Sequence, residues 1–325
     1  MKNKRSLIHQ MFSGVFLLLC TGAFMFHGCK QNAPVLRVAT TVWPGYEILY
    51  LAKSLGYFDE SAIRLIEVPS TSQVTRNLRN GTLEAGCMTL DESLTLLQDQ
   101  VDLRVILVMD ESSGGDVLMA KPDIENLQGL RGKRIGIENS TVSAVLLDAA
   151  LLEAGLQAGD ITQVPMSVDQ DYQEYLAGRV DAVATYEPVR SQLLKEGAKI
   201  LFSSKQIPGR IIDILVVRAD VIDTYSNSLT ALLNGYFKAF SYFEKHPTES
   251  AVLMKKRLGE DPLTQFDGLH IPNLAENNMY LSGGQPALYK SAGFIMDLML
   301  KRKLLQKPCV YTKLADPRFL PVINN

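Results

Sequence analysis

The run Trp43-Pro44-Gly45-Tyr46-Glu47 places an indole, a phenol and a carboxylate around a Pro-Gly turn, and Trp43 is the single tryptophan of the 325-residue chain. A flat indole in such a turn can stack on a planar or cationic molecule; it could equally cap a core. Glu47 falls where a helix would begin, so it either meets a ligand or complements the helix dipole. Ser140 and Thr141 open another predicted helix, where hydroxyls and free backbone N–H groups suit a polar or anionic group and also simple capping. Gly114-Gly115-Asp116 permits close backbone approach and then sets a carboxylate, with Asp213 in the corresponding later position. Tyr186-Glu187-Pro188 ends a predicted strand, and Leu90-Asp91-Glu92 ends its earlier counterpart. Several carboxylates around one cleft repel one another unless a cation or a proton intervenes. The pattern therefore favours a ligand with an amine, amidine or aminopyrimidine group; local pairing of Asp116 and Asp213, for instance with Arg210, is the plainer alternative. An oxyanion ligand calls for Arg or Lys in the cleft turns. Neither 42–47 nor 139–142 contains one, and Arg190 is the nearest candidate. The expected ligand set is thus Trp43, Tyr46, Glu47, Asp91, Gly114, Gly115, Asp116, Ser140, Thr141, Tyr186, Glu187 and Asp213. No catalytic group, metal site or cofactor is expected, because no CxxC and no Cys/His cluster of metal-ligand spacing occurs.

These residues are held by an internal repeat. Leu36–Thr40 reads as a strand, the Trp43 turn leads into a helix ending near Gly56, and 66–69 reads as a second strand. A second helix closes at Gly81 before a third strand at 83–88. About one hundred residues later the order recurs. Arg134–Ile137 is a strand, Asn139-Ser140-Thr141 a turn, and a helix ends at Gly155. Then come 163–165, a helix closing at Gly178, and 180–184. Two β-α-β-α-β copies predict two α/β lobes, each a mostly parallel sheet under helices. Ligands lie outside the carboxyl ends of such strands. The runs 116–121 and 213–218 are the predicted crossings, each an Asp, four apolar residues and a basic residue. Lobe 1 is placed at 34–117 plus 214–325 and lobe 2 at 118–213. The C-terminal third is expected to be helical: Leu229, Leu232, Leu233, Tyr236, Phe237, Phe240 and Phe243 form one stripe. Further helices are expected at 247–258 and 289–305.

The first 28 residues read as a leader with Lys2, Lys4 and Arg5 before an apolar stretch, Met11–Phe26, too short to span a bilayer comfortably. Gly28-Cys29 follows. The segment resembles a bacterial lipoprotein signal, which implies lipidation of Cys29, a tether over 29–33, and an exported protein on a membrane anchor. Phe26 and His27 depart from that pattern. Loss of the leader removes three of 33 basic residues and leaves 30 against 35 acidic ones, a net charge of −5. That balance argues against a nucleic-acid partner. Cys87 and Cys309 then remain, and Cys87, in an apolar strand, is expected to be a buried free thiol.

The ordered motifs Val42–Glu47, Leu55-Gly56-Tyr57-Phe58, Gly114-Gly115-Asp116, Leu130–Gly136, Ala177–Ala182, Thr185–Pro188 and Asp213–Val216 resemble the nitrate/sulfonate/taurine-type solute-binding proteins of ABC importers. That group is similar to the thiamine-pyrimidine-precursor-binding proteins. The resemblance covers about 35–222 and implies an α/β, two-lobed type II periplasmic-binding-protein fold with a helical C-terminal part. It also implies a monomer that captures a small molecule and delivers it to an ABC permease. A sulfonate/nitrate-type oxyanion binder, a ligand-sensing lipoprotein and a heterocycle-processing enzyme are the alternatives. The enzyme branch of the superfamily uses an active-site histidine and clustered cysteines. The histidines here lie in the leader (His9, His27) and the helical tail (His246, His270), and the cysteines are scattered.

Overall fold

A computed structural model describes residues 34–322 apart from Asn139 and Glu260. The leader, Cys29, the tether and the Asn139 position of the second turn lie outside the described residues. Two sheets carry the fold. The first has the order β11-β4-β10-β3-β1-β2, built from β1 (Leu36–Thr40), β2 (Ile63–Glu67), β3 (Ala85–Thr89), β4 (Leu103–Ser112), β10 (Ile212–Arg218) and β11 (Leu269–His270). The second has the order β7-β6-β8-β5-β9, from β5 (Val117–Ala120), β6 (Arg134–Ile137), β7 (Thr162–Pro165), β8 (Ala182–Thr185) and β9 (Lys199–Ser203).

The repeat is visible in the pairing. β1 runs parallel between β2 and β3, and β6 runs parallel between β7 and β8. Val38 faces Ala85, and 97 residues later Ile135 faces Ala182. The guanidinium of Arg37 clasps Glu84, and 97 residues on that of Arg134 clasps Asp181. Each lobe then takes one antiparallel strand beside its third parallel strand: β10 against β3 and β5 against β8. The chain crosses between the sheets over 113–116 and 204–211. Val117 consequently pairs within the second sheet, and Ile212 and Asp213 pair within the first.

The central strands of both sheets are buried on both faces, which is why they read as apolar runs rather than alternations. Along β10, Leu215 and Val217 join one core while Ile212, Ile214 and Val216 join the other. Along β5, Leu118 and Ala120 face one core and Val117 and Met119 the opposite one.

The helices are α1 (Glu47–Ser54), α2 (Thr71–Arg79), α3 (Leu90–Gln98), α4 (Thr141–Ala154), α5 (Val168–Leu176), α6 (Val189–Lys195), α7 (Ser226–Lys245), α8 (Pro247–Leu258), α9 (Leu274–Leu281) and α10 (Ala287–Lys301). The α7 stripe is confirmed, with Leu229, Leu232, Leu233 and Tyr236 fully buried against the first sheet's core. The second strand begins earlier than read from the sequence, at Ile63, because β1 pairs with it from Leu36 onward. Cys87 and Cys309 are free thiols, Cys87 buried. Among the described residues, no helix is long and apolar enough to cross a membrane.

Candidate ligand-binding cleft

The chain leaves β1 and reaches Trp43 in extended conformation, then makes a single 3-10 turn over Pro44–Tyr46 into α1. Proline at the first position of that turn removes an N–H that would lack a partner anyway. The turn lies against the antiparallel pair β4–β10, where Asp110 and Asp213 stand directly opposite each other. Trp43 Nε1 donates to Asp110 Oδ2 at 3.0 Å. Tyr46 Oη donates to Asp213 Oδ1. Gly45 makes this possible, since a Cβ there would lie 1.7 Å from Asp110 Oδ2.

The other wall comes from the second sheet. Tyr186, just past β8, presents its ring edge-on to Trp43, with centroids 5.7 Å apart and an interplanar angle of 85°. α3 packs against α4, with Thr141 at the start of α4 near enough to Asp91 at the start of α3 to favour its charged form. Ser140 caps α4, its Oγ accepting from Ser143 N at 3.3 Å. Glu187 accepts from Arg190 Nη1 at 2.8 Å and from the Ser191 hydroxyl at 2.9 Å. Outside the Trp43–Tyr186 pair lies a cavity of about 710 Å³ lined by Val42, Tyr172, Tyr186, Glu187 and Pro188 among others.

The first crossing is stitched to the second. Ser112 Oγ and Ser204 Oγ are 2.7 Å apart, Gly114 N donates to Ser204 Oγ at 2.7 Å, and Ser204 N donates to the Asp116 carbonyl at 2.9 Å. Gly114 has φ +113°, a conformation open to glycine. The close backbone approach that Gly114-Gly115 permits is to Gly268: a Cβ on Gly268 would lie 2.4 Å from Gly115 N.

The structure thus brings Trp43, Tyr46, Asp91, Asp116, Thr141, Tyr186 and Asp213 together. Glu47 stands apart from them. It is fully buried, and both its oxygens accept from Arg257 Nε, at 2.8 and 3.0 Å. Nor does Arg210 pair with Asp116 or Asp213; it lies over the Phe294 ring at 4.4 Å. Asp110 and Glu92 complete the cluster. The sequence reading did not select Asp110 at all, although an Asp directly after the apolar run Val105–Met109 was the available signal.

Burial governs the electrostatics. It pushes the Asp110 carboxyl up to about 8, with the Trp43 N–H opposing and the Asp116 charge adding. Asp116 is pushed up to about 6, by burial first, against Ser112, and then by the charges of Asp91 and Glu138. Glu92 rises to about 7 through burial and the neighbouring Asp91. Asp213 is raised by burial and then by Asp110. Like charges in low dielectric keep protons. The Cys87 thiol is also pushed up by burial, with Asp213 and Asp110 adding, so it stays protonated rather than becoming a nucleophile. Among the described residues, no group of three or more His, Cys, Asp or Glu side chains is arranged to hold a metal ion. The arrangement can accept hydrogen bonds, share protons and stack on a ring.

A family model described as NMT1/THI5 like matches residues 43–250. The chain is 23% identical over 222 residues to the taurine-binding periplasmic protein of Escherichia coli (strain K12), covering 66% of this chain and 68% of that protein. The crystal structure of the periplasmic aliphatic sulphonate binding protein SsuA from Escherichia coli superposes with a TM-score of 0.72 at 18% identity, over 89% of this chain and all of the other. The desulfurization enzyme DSZB shares the fold too, with a TM-score of 0.67 at 16% identity over 88% of this chain and 97% of that one. At these identities the solved structures establish the two-lobed fold.

Proposed function

The chain belongs to the NMT1/THI5-like family, and from that premise we propose that it is an exported solute-binding protein. It captures a small organic molecule between its lobes and passes it to an ABC permease. The observation that carries this is the contact of both lobes around one buried polar cluster, Trp43 with Tyr186 and α3 against α4. The lobes, about 34–112 with 212–325 and about 117–203, open and close as a monomer about the crossings over 113–116 and 204–211. Small-angle scattering should show compaction on adding a saturating ligand; unchanged profiles with a ligand shown to bind would refute closure.

The ligand bears a sulfonate or similar oxyanion in this reading. The likeness to taurine- and sulphonate-binding proteins supports it. So does Arg190, whose Nε is buried and has no hydrogen-bond partner among the described residues. The start of α4 at Ser140 and Thr141 offers further donors. A nitrogen-containing ligand without an oxyanion is the second reading, favoured by the carboxylates that line the same space. A thermal-shift panel of alkyl sulfonates, amino sulfonates, amines, aminopyrimidines and nitrate separates the two. Stabilisation by amines or aminopyrimidines alone would overturn the oxyanion reading. The fold's kinship with DSZB makes catalysis the rival to simple binding. A sulfonate recovered chemically intact after long incubation with the protein supports binding; turnover would sink it.

We further propose attachment to a bacterial membrane through lipid on Cys29. A Cys29→Ser variant should lose the lipid mass and move to the soluble fraction. Identical partitioning of variant and wild type would exclude that anchor. Stable attachment calls for more than one acyl chain.

A further inference from the structure

The helix α10 presents two rows of side chains about a quarter turn apart. Leu288, Ala292, Ile295 and Met299 are buried in a core of the first sheet. Their spacing of three or four residues holds α10 to lobe 1. Ser291, Phe294, Leu298 and Arg302 form the second row.

Each member of that second row meets the second crossing or lobe 2. A Cβ on Gly209 would lie 3.9 Å from Ser291 Oγ, and Arg210 lies over the Phe294 ring at 4.4 Å. Leu298 packs against the core that holds Ile207 and Ile211 of the crossing with Leu147 and Leu151 of α4. Arg302, just past the end of α10, reaches Asp148 on α4. Its Nε donates to Asp148 Oδ2 at 2.5 Å, and its Nη2 pairs with Oδ1.

The first half of this row lies at the pivot. Glu111, near the end of β4, accepts from Gly209 N and from the Tyr280 hydroxyl, so the crossing is tied to lobe 1 there. Arg302 is 11 residues beyond Ser291, an arm of about 16 Å at helical rise. A lobe rotation of about 15° across that arm moves its end by about 4 Å, enough to part an ion pair.

We propose that Asp148 and Arg302 form a clasp that holds the lobes in the apposed arrangement of this structure, with α10 as its arm. The clasp touches no solute. It raises the fraction of molecules whose lobes are together before a solute arrives, and affinity scales with that fraction. It rests on the lobe motion of the solute-capture reading and adds a control outside the cleft.

A lone exposed ion pair contributes little. This pair is 27% and 26% exposed, sets two N–H groups of a guanidinium on two carboxylate oxygens, and has Leu298 one turn earlier on the same row. The pairs Arg37–Glu84 and Arg134–Asp181 have similar forks, but each lies within one lobe and is blind to the angle between lobes.

Trp43, the single tryptophan, reports that angle without any ligand. It is 9% exposed and touches Tyr186 of the other lobe. Acrylamide quenching of its fluorescence should rise about twofold or more in Asp148→Asn and in Arg302→Gln, because loss of the clasp shifts the lobe equilibrium about threefold to tenfold. Small-angle scattering of the same ligand-free variants should show a larger radius of gyration. A chain with both substitutions should quench no more than either single variant, since the two residues act as one unit. Quenching and scattering unchanged in both single variants, or a variant more compact than wild type, overturns the clasp. Additive effects in the double variant overturn it too. These measurements use no solute, so the clasp can fail while solute capture stands, its own test being compaction when solute is added.

Discussion

Replacing Asp116 by Asn should stabilise the ligand-free protein at neutral pH and do almost nothing in acid. Asp116 is 4% exposed, and its backbone is pinned from both sides: its N–H donates to Ser112 Oγ at 3.1 Å and its carbonyl accepts from Ser204 N. Its carboxyl is raised from 3.8 to about 6, chiefly by burial. The folded protein therefore binds this proton more tightly than the unfolded chain does. That contribution is fully present below about pH 4 and is lost as pH rises through about 6. A shift of about two units at 1.36 kcal/mol each makes the loss about 3 kcal/mol. Asn mimics the neutral acid in size and polarity, so the variant escapes the loss. Urea unfolding of wild type and Asp116→Asn, followed by circular dichroism at pH 4.5, 6 and 7.5, measures it. The expected difference grows from about 1 kcal/mol at pH 4.5 to about 3 kcal/mol at pH 7.5 in favour of the variant. A variant that is destabilised equally at every pH, or whose advantage shrinks as pH rises, would refute the argument. The same variant should lose about tenfold or more in affinity for an amine-bearing ligand, so stability and binding move in opposite directions.

Gly45→Ala would drive a Cβ into Asp110 Oδ2; overpacking of this kind costs about 1–3 kcal/mol, and an added Asp110→Ala should restore much of it in a double-mutant cycle. Arg257→Ala leaves Glu47 buried without its partner, a loss of about 3–5 kcal/mol. Because the Glu47 carboxyl is already raised to about 7 by burial, it can take a proton, so the loss should be larger at pH 8 than at pH 5 in chemical unfolding. Asn277 stands in for a missing strand beside β4, accepting from Val108 N at 2.8 Å and donating to Val108 O at 3.1 Å. Asn277→Ala should cost about 2–4 kcal/mol from the two orphaned backbone groups, with faster hydrogen exchange at the Val108 amide.

Much of the scaffold was written in local pattern. Glycines at Gly56, Gly81, Gly155 and Gly178 all adopt positive φ where helices end, and that requirement is visible in a single sequence. The 97-residue offset carried the equivalence of the two parallel cores, down to the matching Arg37–Glu84 and Arg134–Asp181 pairs. Proline and the helical stripe likewise placed α7 and α8, because these signals depend on neighbours within a few residues. β4 was not legible. Its partners are β10, about one hundred residues on, and β11 beyond that, so no neighbouring pattern announces it.

Site chemistry divides along the same line. Residue types alone pointed to an aromatic turn and a surplus of carboxylates. Only the tertiary structure decided which carboxylates share the cleft. It joined Tyr46 to Asp213 across 167 residues, and it diverted Glu47 to Arg257 across 210. It also buried Asp110 behind Trp43, 67 residues away along the chain. A carboxylate's charge state follows from the water it has lost and from the charges folding brings near it. Both are properties of packing, and neither is present in the chain until the two sheets have formed.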